Sequence, residues 1–190
     1  KLTELEQNEA IHNWNLLEAR RAIAPNRFNF SIQTTGICSE AELIHRVCDE
    51  LSIRLNEITK SSKQKHKVSM RTVKNDNLRP KVEFMDITAQ LNELTAQPIK
   101  VDIKLNDEDY TLGGVIQSAM ARMFLNNPNY GLEYVGFIKE HPHDAHGLLR
   151  LHISEKIITE KQLDENGVYD HCASMISLIE KDAAGVFDRI

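Results

Sequence analysis

Apolar and polar residues keep regular periods along most of this chain, and the period changes several times. In FNFSIQTTG (28–36), Phe28, Phe30 and Ile32 share one side of an extended segment, with Asn29, Ser31 and Gln33 on the other. That alternation predicts a half-buried strand. Residues 1–22, which lack glycine and proline, read as a helix stopped by Pro25-Asn26. After the strand, Ser39 and Glu42 have capping-box spacing, and Ile44, Val47, Leu51, Leu55 and Ile58 form one apolar helical stripe. TKSSKQKHK (59–67) is polar and basic and reads as an exposed linker. In 68–97, KVSMRTV and KVEFMDI read as the strands of a hairpin around Pro80, and AQLNEL as a helical turn.

The pattern sharpens after Pro98. IKVDIKL alternates Ile99, Val101, Ile103 and Leu105 against Lys100, Asp102 and Lys104. NDEDY is a turn with Asp109 as N-cap. Leu112, Ile116, Ala119 and Met123 then mark a helix face, widened by Val115, Met120 and Phe124, and NNPN (126–129) ends it. LEYVGFI and GLLRLHI are two strands joined through HPHDAH (141–146). A last helix starts near Asp164, with Val168, Cys172, Met175, Ile179, Val186 and Ile190 on one stripe. A strand followed by a long amphipathic helix thus occurs twice, once from Phe28 and once from Leu149.

Composition narrows the picture. The 190 residues suit one domain or parts of two, and the hydrophobic fraction of 41% is that of a chain with a core. A net charge of −5 argues against a dedicated nucleic-acid-binding module. The odd number of cysteines, Cys38, Cys48 and Cys172, without CxxC spacing, predicts buried free thiols in a reducing compartment. No apolar run approaches the roughly 18 residues of a membrane span, and no signal peptide opens the chain. The first residue is Lys1, so the chain is expected to be a fragment.

Candidate chemistry is sparse. His141, His143, Asp144 and His146 fall within six positions and have the ligand types zinc takes. His141 and His143 flank a proline, so they are expected to diverge around a turn, and the stretch reads as a solvated connection. His152 reads as a surface or interface histidine on its strand. Gly113-Gly114 lacks the rest of a phosphate loop, and Asp107, Glu108 and Asp109 would repel phosphate, so the glycines read as close packing. Asp86, Asp144 and Glu155 form no defensible acid–base pair. The basic stretch 60–67 has no interleaved aromatics and reads as a solvated loop. No catalytic residue, metal ligand or cofactor site is assigned.

One family resemblance carries more weight. DEDYTLGGVIQSAM (107–120) followed by LEYVGFIKEHPHDAHGLLRLHIS resembles the small alpha-like subunit of DNA-directed RNA polymerases, in the form found in archaea. Asp109, Thr111, Leu112 and Gly113 match its first motif. Tyr134, Val135, Gly136, Phe137, His141 and Pro142 match its second. Tyr110 and Gly114 depart from the family's His and Asn, and MFLNNPNYG is longer than the usual connection. More weakly, 18–58 resembles the closing strand and helix of the large alpha-like subunit of the same polymerases. A large-then-small order resembles the fused alpha-like subunit of large DNA viruses whose polymerases act in the cytoplasm.

The resemblance implies an α+β fold, an antiparallel sheet with long amphipathic helices on one face. It implies three parts: 1–59, the tail of a large alpha-like domain; 60–96, a linker or insertion; and 97–190, a small alpha-like domain. It implies a non-catalytic assembly platform that pairs alpha-like units and holds the two large catalytic subunits and small polymerase subunits, without cofactor, membrane or sequence-specific DNA contact. Its place would be the viral factory and virion, or the nucleus or cytoplasm for a cellular form. Interface candidates are Ile44, Val47, Leu51, Leu55, Leu112, Gly113, Met175, Ile179 and Val186, with the 44–58 and 168–190 helices meeting. The alternatives are a stand-alone dimeric α+β ligand- or metal-binding domain and a hydrolase using the histidine stretch.

Overall fold

Thr3 starts the first helix. Its hydroxyl accepts the Glu6 N–H at 3.4 Å while the Glu6 carboxylate accepts the Thr3 N–H at 2.7 Å, a complete capping box. The structure is a computed structural model that describes residues 3–19, 21–22, 27–64, 67–68, 80–92 and 97–187. Two compact units are present, residues 1–40 and 41–190.

In the first unit, α1 (Glu4–Leu16) buries no side chain. It ends earlier than the expected 1–22 helix, and Pro25-Asn26 lie outside the described residues. Residues 28–35 are neither helix nor strand and pair with no described strand. Phe28 and Phe30 are therefore 64% and 86% exposed, not half-buried.

The second unit runs α2 (Glu40–Lys63), β1 (Lys67–Val68), β2 (Val82–Met85), α3 (Thr88–Asn92), β3 (Ile99–Asn106), α4 (Tyr110–Phe124), β4 (Leu132–Ile138), β5 (His146–Ile153), α5 (Glu155–Glu160) and α6 (Glu165–Phe187). α2 begins beside Ser39, as its box predicts, but continues past Ile58 to Lys63 and buries Thr59, Ser61 and Ser62. The Ser61 hydroxyl accepts the Val82 N–H at 3.0 Å, so part of the expected linker is bonded to the sheet. β1 is parallel to β2, so the two do not make the expected hairpin. Residues 69–79 and Ile190 lie outside the described residues.

The fold is α+β. β2, β3, β5 and β4 form an antiparallel sheet in that order, with the short β1 beyond β2. Alternation decides its two faces. Val101, Ile103 and Leu105 of β3 and Leu149, Leu151 and Ile153 of β5 are fully buried under the helices. The opposite face carries Lys100, Asp102, Lys104, Arg150 and His152. There Arg150 grips Asp102 with two hydrogen bonds of 2.7 and 2.9 Å. Burial pushes the Asp102 pKa up, but the bonds and charge of Arg150, helped by Lys100, outweigh it and hold Asp102 below the usual range. The Gln90 side chain both donates to and accepts from the Lys100 backbone, extending the ladder where β2 stops.

The helices supply the other half of the core: Leu55 and Ile58 from α2, Leu112, Ile116, Met120 and Phe124 from α4, and Val168, Tyr169, Cys172, Met175, Ile176 and Ile179 from α6. The α4 face is centred on the 112/116/120/124 row, while Ala119 and Met123 are only half-buried. The short α5 was not anticipated; it buries Ile157 against a turn at Gly131 and Ile158 in the core. At about 25 cal/mol per Å² of apolar surface, this aliphatic layer is the main source of stability.

Candidate interaction surface

The two sequence motifs of the resemblance are packed on each other. The Asp109 carboxylate caps α4 by accepting the Thr111 N–H at 2.9 Å, which holds its pKa below the ordinary aspartate value. One turn on, Gly113 faces the Phe137 ring of β4, and Gly147 of β5 closes on the same ring. Tyr110 meets that ring edge-on, centroids 5.5 Å apart. Gln117 accepts the Phe137 N–H at 2.7 Å, and the Tyr110 hydroxyl accepts the Lys139 N–H at 3.3 Å. Beyond the end of α4, Leu132 C=O takes the Asn126 N–H at 3.0 Å. Helix α4 and its end thereby occupy polar groups along β4, the outer strand, and so hinder strand addition there.

His141 and His143 lie in the β4–β5 connection. His141 and His143 are exposed, and their rings stand 5.1 Å apart, closer than the expected divergence around Pro142. The loop turns back on itself: Asp144 accepts the His141 N–H at 2.9 Å, and His141 Nδ1 accepts the His143 N–H at 3.2 Å. His146 has moved onto β5 opposite Asn106. Among the described residues no three His, Cys, Asp or Glu side chains gather where they could hold a metal ion. His152 contacts Tyr134 on the outer sheet face, centroids 4.8 Å apart.

The interface candidates divide in two. Leu55, Leu112, Met175 and Ile179 are within 1% of full burial, and Gly113 is covered by Phe137, so these five fill the unit's own core. Ile44 and Leu51 are half-buried, and Val47 and Val186 are 52% and 36% exposed. Between α2 and α6, Asn56 donates to Glu180 at 2.8 Å, and neither residue belongs to the two apolar stripes. Leu43 and Ile53 add to the exposed apolar surface of α2. A groove of about 520 Å³ opens between α4 and α6, floored by Val115, Ala119 and Ala183 and bridged by the Arg122–Asp182 ion pair.

Two features escaped the sequence reading. Glu108, grouped there with an acidic turn, is buried and ion-paired to Arg54 of α2 and Lys81. No alternation signals this, because the residue lies just past the strand. His171, on α6, is the second: its Nε2 lies 2.7 Å from the Tyr130 carbonyl, and burial lowers its pKa, helped by Lys161 and opposed by that bond.

No helix among the described residues is long and apolar enough to cross a membrane. No family model matches the chain. No curated protein matches it either.

Proposed function

We propose that this chain is a non-catalytic assembly subunit of a multi-subunit DNA-directed RNA polymerase, related to the fused alpha-like subunits of large DNA viruses. The observation that carries the reading is the contact between its two motifs. The glycine of DYTLGG and the phenylalanine of YVGF, 24 positions apart, share one packing site, so their spacing serves one local structure rather than chance. The arrangement of helices over one face of an antiparallel sheet supports the same reading.

Exposed apolar surface supports the platform role. Leu43, Val47 and Ile53 on α2, and Phe28, Phe30 and Ile37 before it, are large apolar side chains left in water. Leu43 and Val47 lie one turn apart on α2, and exposed apolar surface of this kind marks protein–protein contact. In this reading the 28–36 segment pairs as a strand with a partner subunit, and the α2 stripe and the α4–α6 groove meet a second alpha-like unit. The test is purification of the tagged chain from its native source. Co-elution of the two large catalytic subunits, with template-dependent RNA synthesis in the same fraction, is expected. A chain that elutes alone and carries no such activity removes the reading.

A further inference from the structure

Helix α2 has few apolar anchors for its length. Of its 24 residues, the buried apolar ones are Cys48, Leu55 and Ile58, and its other buried positions are Thr59, Ser61 and Ser62. Apolar contact is non-directional, so this set discriminates poorly between neighbouring axial positions of the rod. Among the described residues, directional contacts from α2 to the rest of the unit include Arg54 to Glu108, Asn56 to Glu180, and Ser61 to the Val82 backbone.

Glu108 differs from the other two acceptors. Its side chain is 1% exposed, and it sits in the turn between β3 and α4. One carboxylate oxygen takes Arg54; the other accepts no hydrogen bond and has Lys81 Nζ at 3.8 Å. A buried carboxylate is costly unless a cation meets it. The residues one turn from Arg54 cannot do so: positions 50 and 57 are glutamates, and positions 51 and 58 are Leu and Ile. A slip of α2 by one turn in either direction would set a like charge or an apolar side chain against Glu108.

We propose that Glu108 is a positioning residue that admits one register of α2 on the domain, and so fixes where the exposed Leu43 and Val47 stand. The inference does not depend on the polymerase reading; it holds for the full chain alone. Two variants test it, Glu108→Gln and the double Arg54→Met, Glu108→Met, with Arg54→Lys as the conservative control. The readouts are amide resonances and hydrogen exchange of α2 against those of β3 and β5. Both variants are expected to show α2 amides split into more than one set, or exchanging at least about tenfold faster while the strands keep their protection. Arg54→Lys should keep one set. If the Met pair does not fold, Glu108→Gln alone decides. A single α2 set with unchanged exchange overturns the proposal. So does a loss of protection shared equally by helix and strands, which would mark a general stabilising contact.

Discussion

Gly113 and Phe137 are packed so closely that a Cβ on the glycine would stand 2.4 Å from the ring. Gly114, the next residue, has nothing within 4 Å of the same atom. The pair makes an internal comparison. In a helix interior, replacing glycine by alanine gains up to about 1 kcal/mol when there is room. Gly114→Ala should therefore stabilise the protein slightly. Gly113→Ala should destabilise it, because overpacking costs typically about 1–3 kcal/mol and outweighs the helix gain. Urea midpoints of the two variants check this. Equal shifts of the same sign would mean the ring moves aside freely.

His171 makes stability depend on pH with a definite sign. Burial holds its folded pKa below the ordinary value of about 6.5. As pH falls, the unfolded chain takes up the proton first, so the stability is complete above about 6.5 and is lost as pH drops through the folded pKa. His171→Gln lacks this titration. The stability difference between wild type and variant should shrink between pH 7.5 and 5. Parallel denaturation curves across that range would show that the ring is not held neutral.

The exposed histidine loop should be expendable for folding. His141→Ala combined with His143→Ala removes two exposed rings and one exposed bond, His143 N–H to His141 Nδ1, whose donor water can satisfy, and surface changes of this kind stay within about 0.5 kcal/mol. The same double variant tests the zinc alternative. Stoichiometric zinc in the native protein that disappears in the variant would make the loop a metal site.

The three thiols should differ sharply in reactivity. Cys172 is fully buried, and burial pushes its pKa up to about 12, so almost no thiolate forms at pH 8. Cys38 is only partly covered. Alkylation of the native protein followed by peptide mass analysis should find Cys38 modified first and Cys172 only after denaturation. Labelling of Cys172 at the rate of Cys38 would mean that α6 opens readily.

What the sequence made legible followed from strict periods. The alternation of Ile99, Val101, Ile103 and Leu105 decided which face of β3 is buried, and Asp109 announced the start of α4. Helical stripes were less decisive. Val47 and Leu55 lie on the same predicted stripe, yet one is exposed and the other buried, because the stripe records only that a face is apolar, not how far its cover extends. The polar run after Ile58 misled for the opposite reason. Ser61 and Ser62 are small enough to be buried, and Ser61 can satisfy the Val82 backbone, so low hydrophobicity did not mean exposure. Glu108 was illegible for lack of any local rule: its cation arrives from 54 residues away.

The same distinction decides how the platform reading should be probed by mutation. Ile179 is 1% exposed inside the core, so Ile179→Asp would strand a carboxylate there and unfold the unit whether or not a partner exists. Val47 is 52% exposed on a helix surface. Val47→Asp should cost the isolated chain no more than about 0.5 kcal/mol. Yet it would place a charge in the middle of an apolar contact, where burial without a partner is costly. The expected result is a normal thermal melt for the purified variant together with at least a tenfold loss of the large subunits in co-purification, a factor of ten corresponding to about 1.4 kcal/mol of contact. Glu133→Lys, an exposed change on β4, should leave both measurements unaltered. If Val47→Asp melts normally and still brings down the large subunits at the wild-type level, the α2 stripe is not the assembly surface.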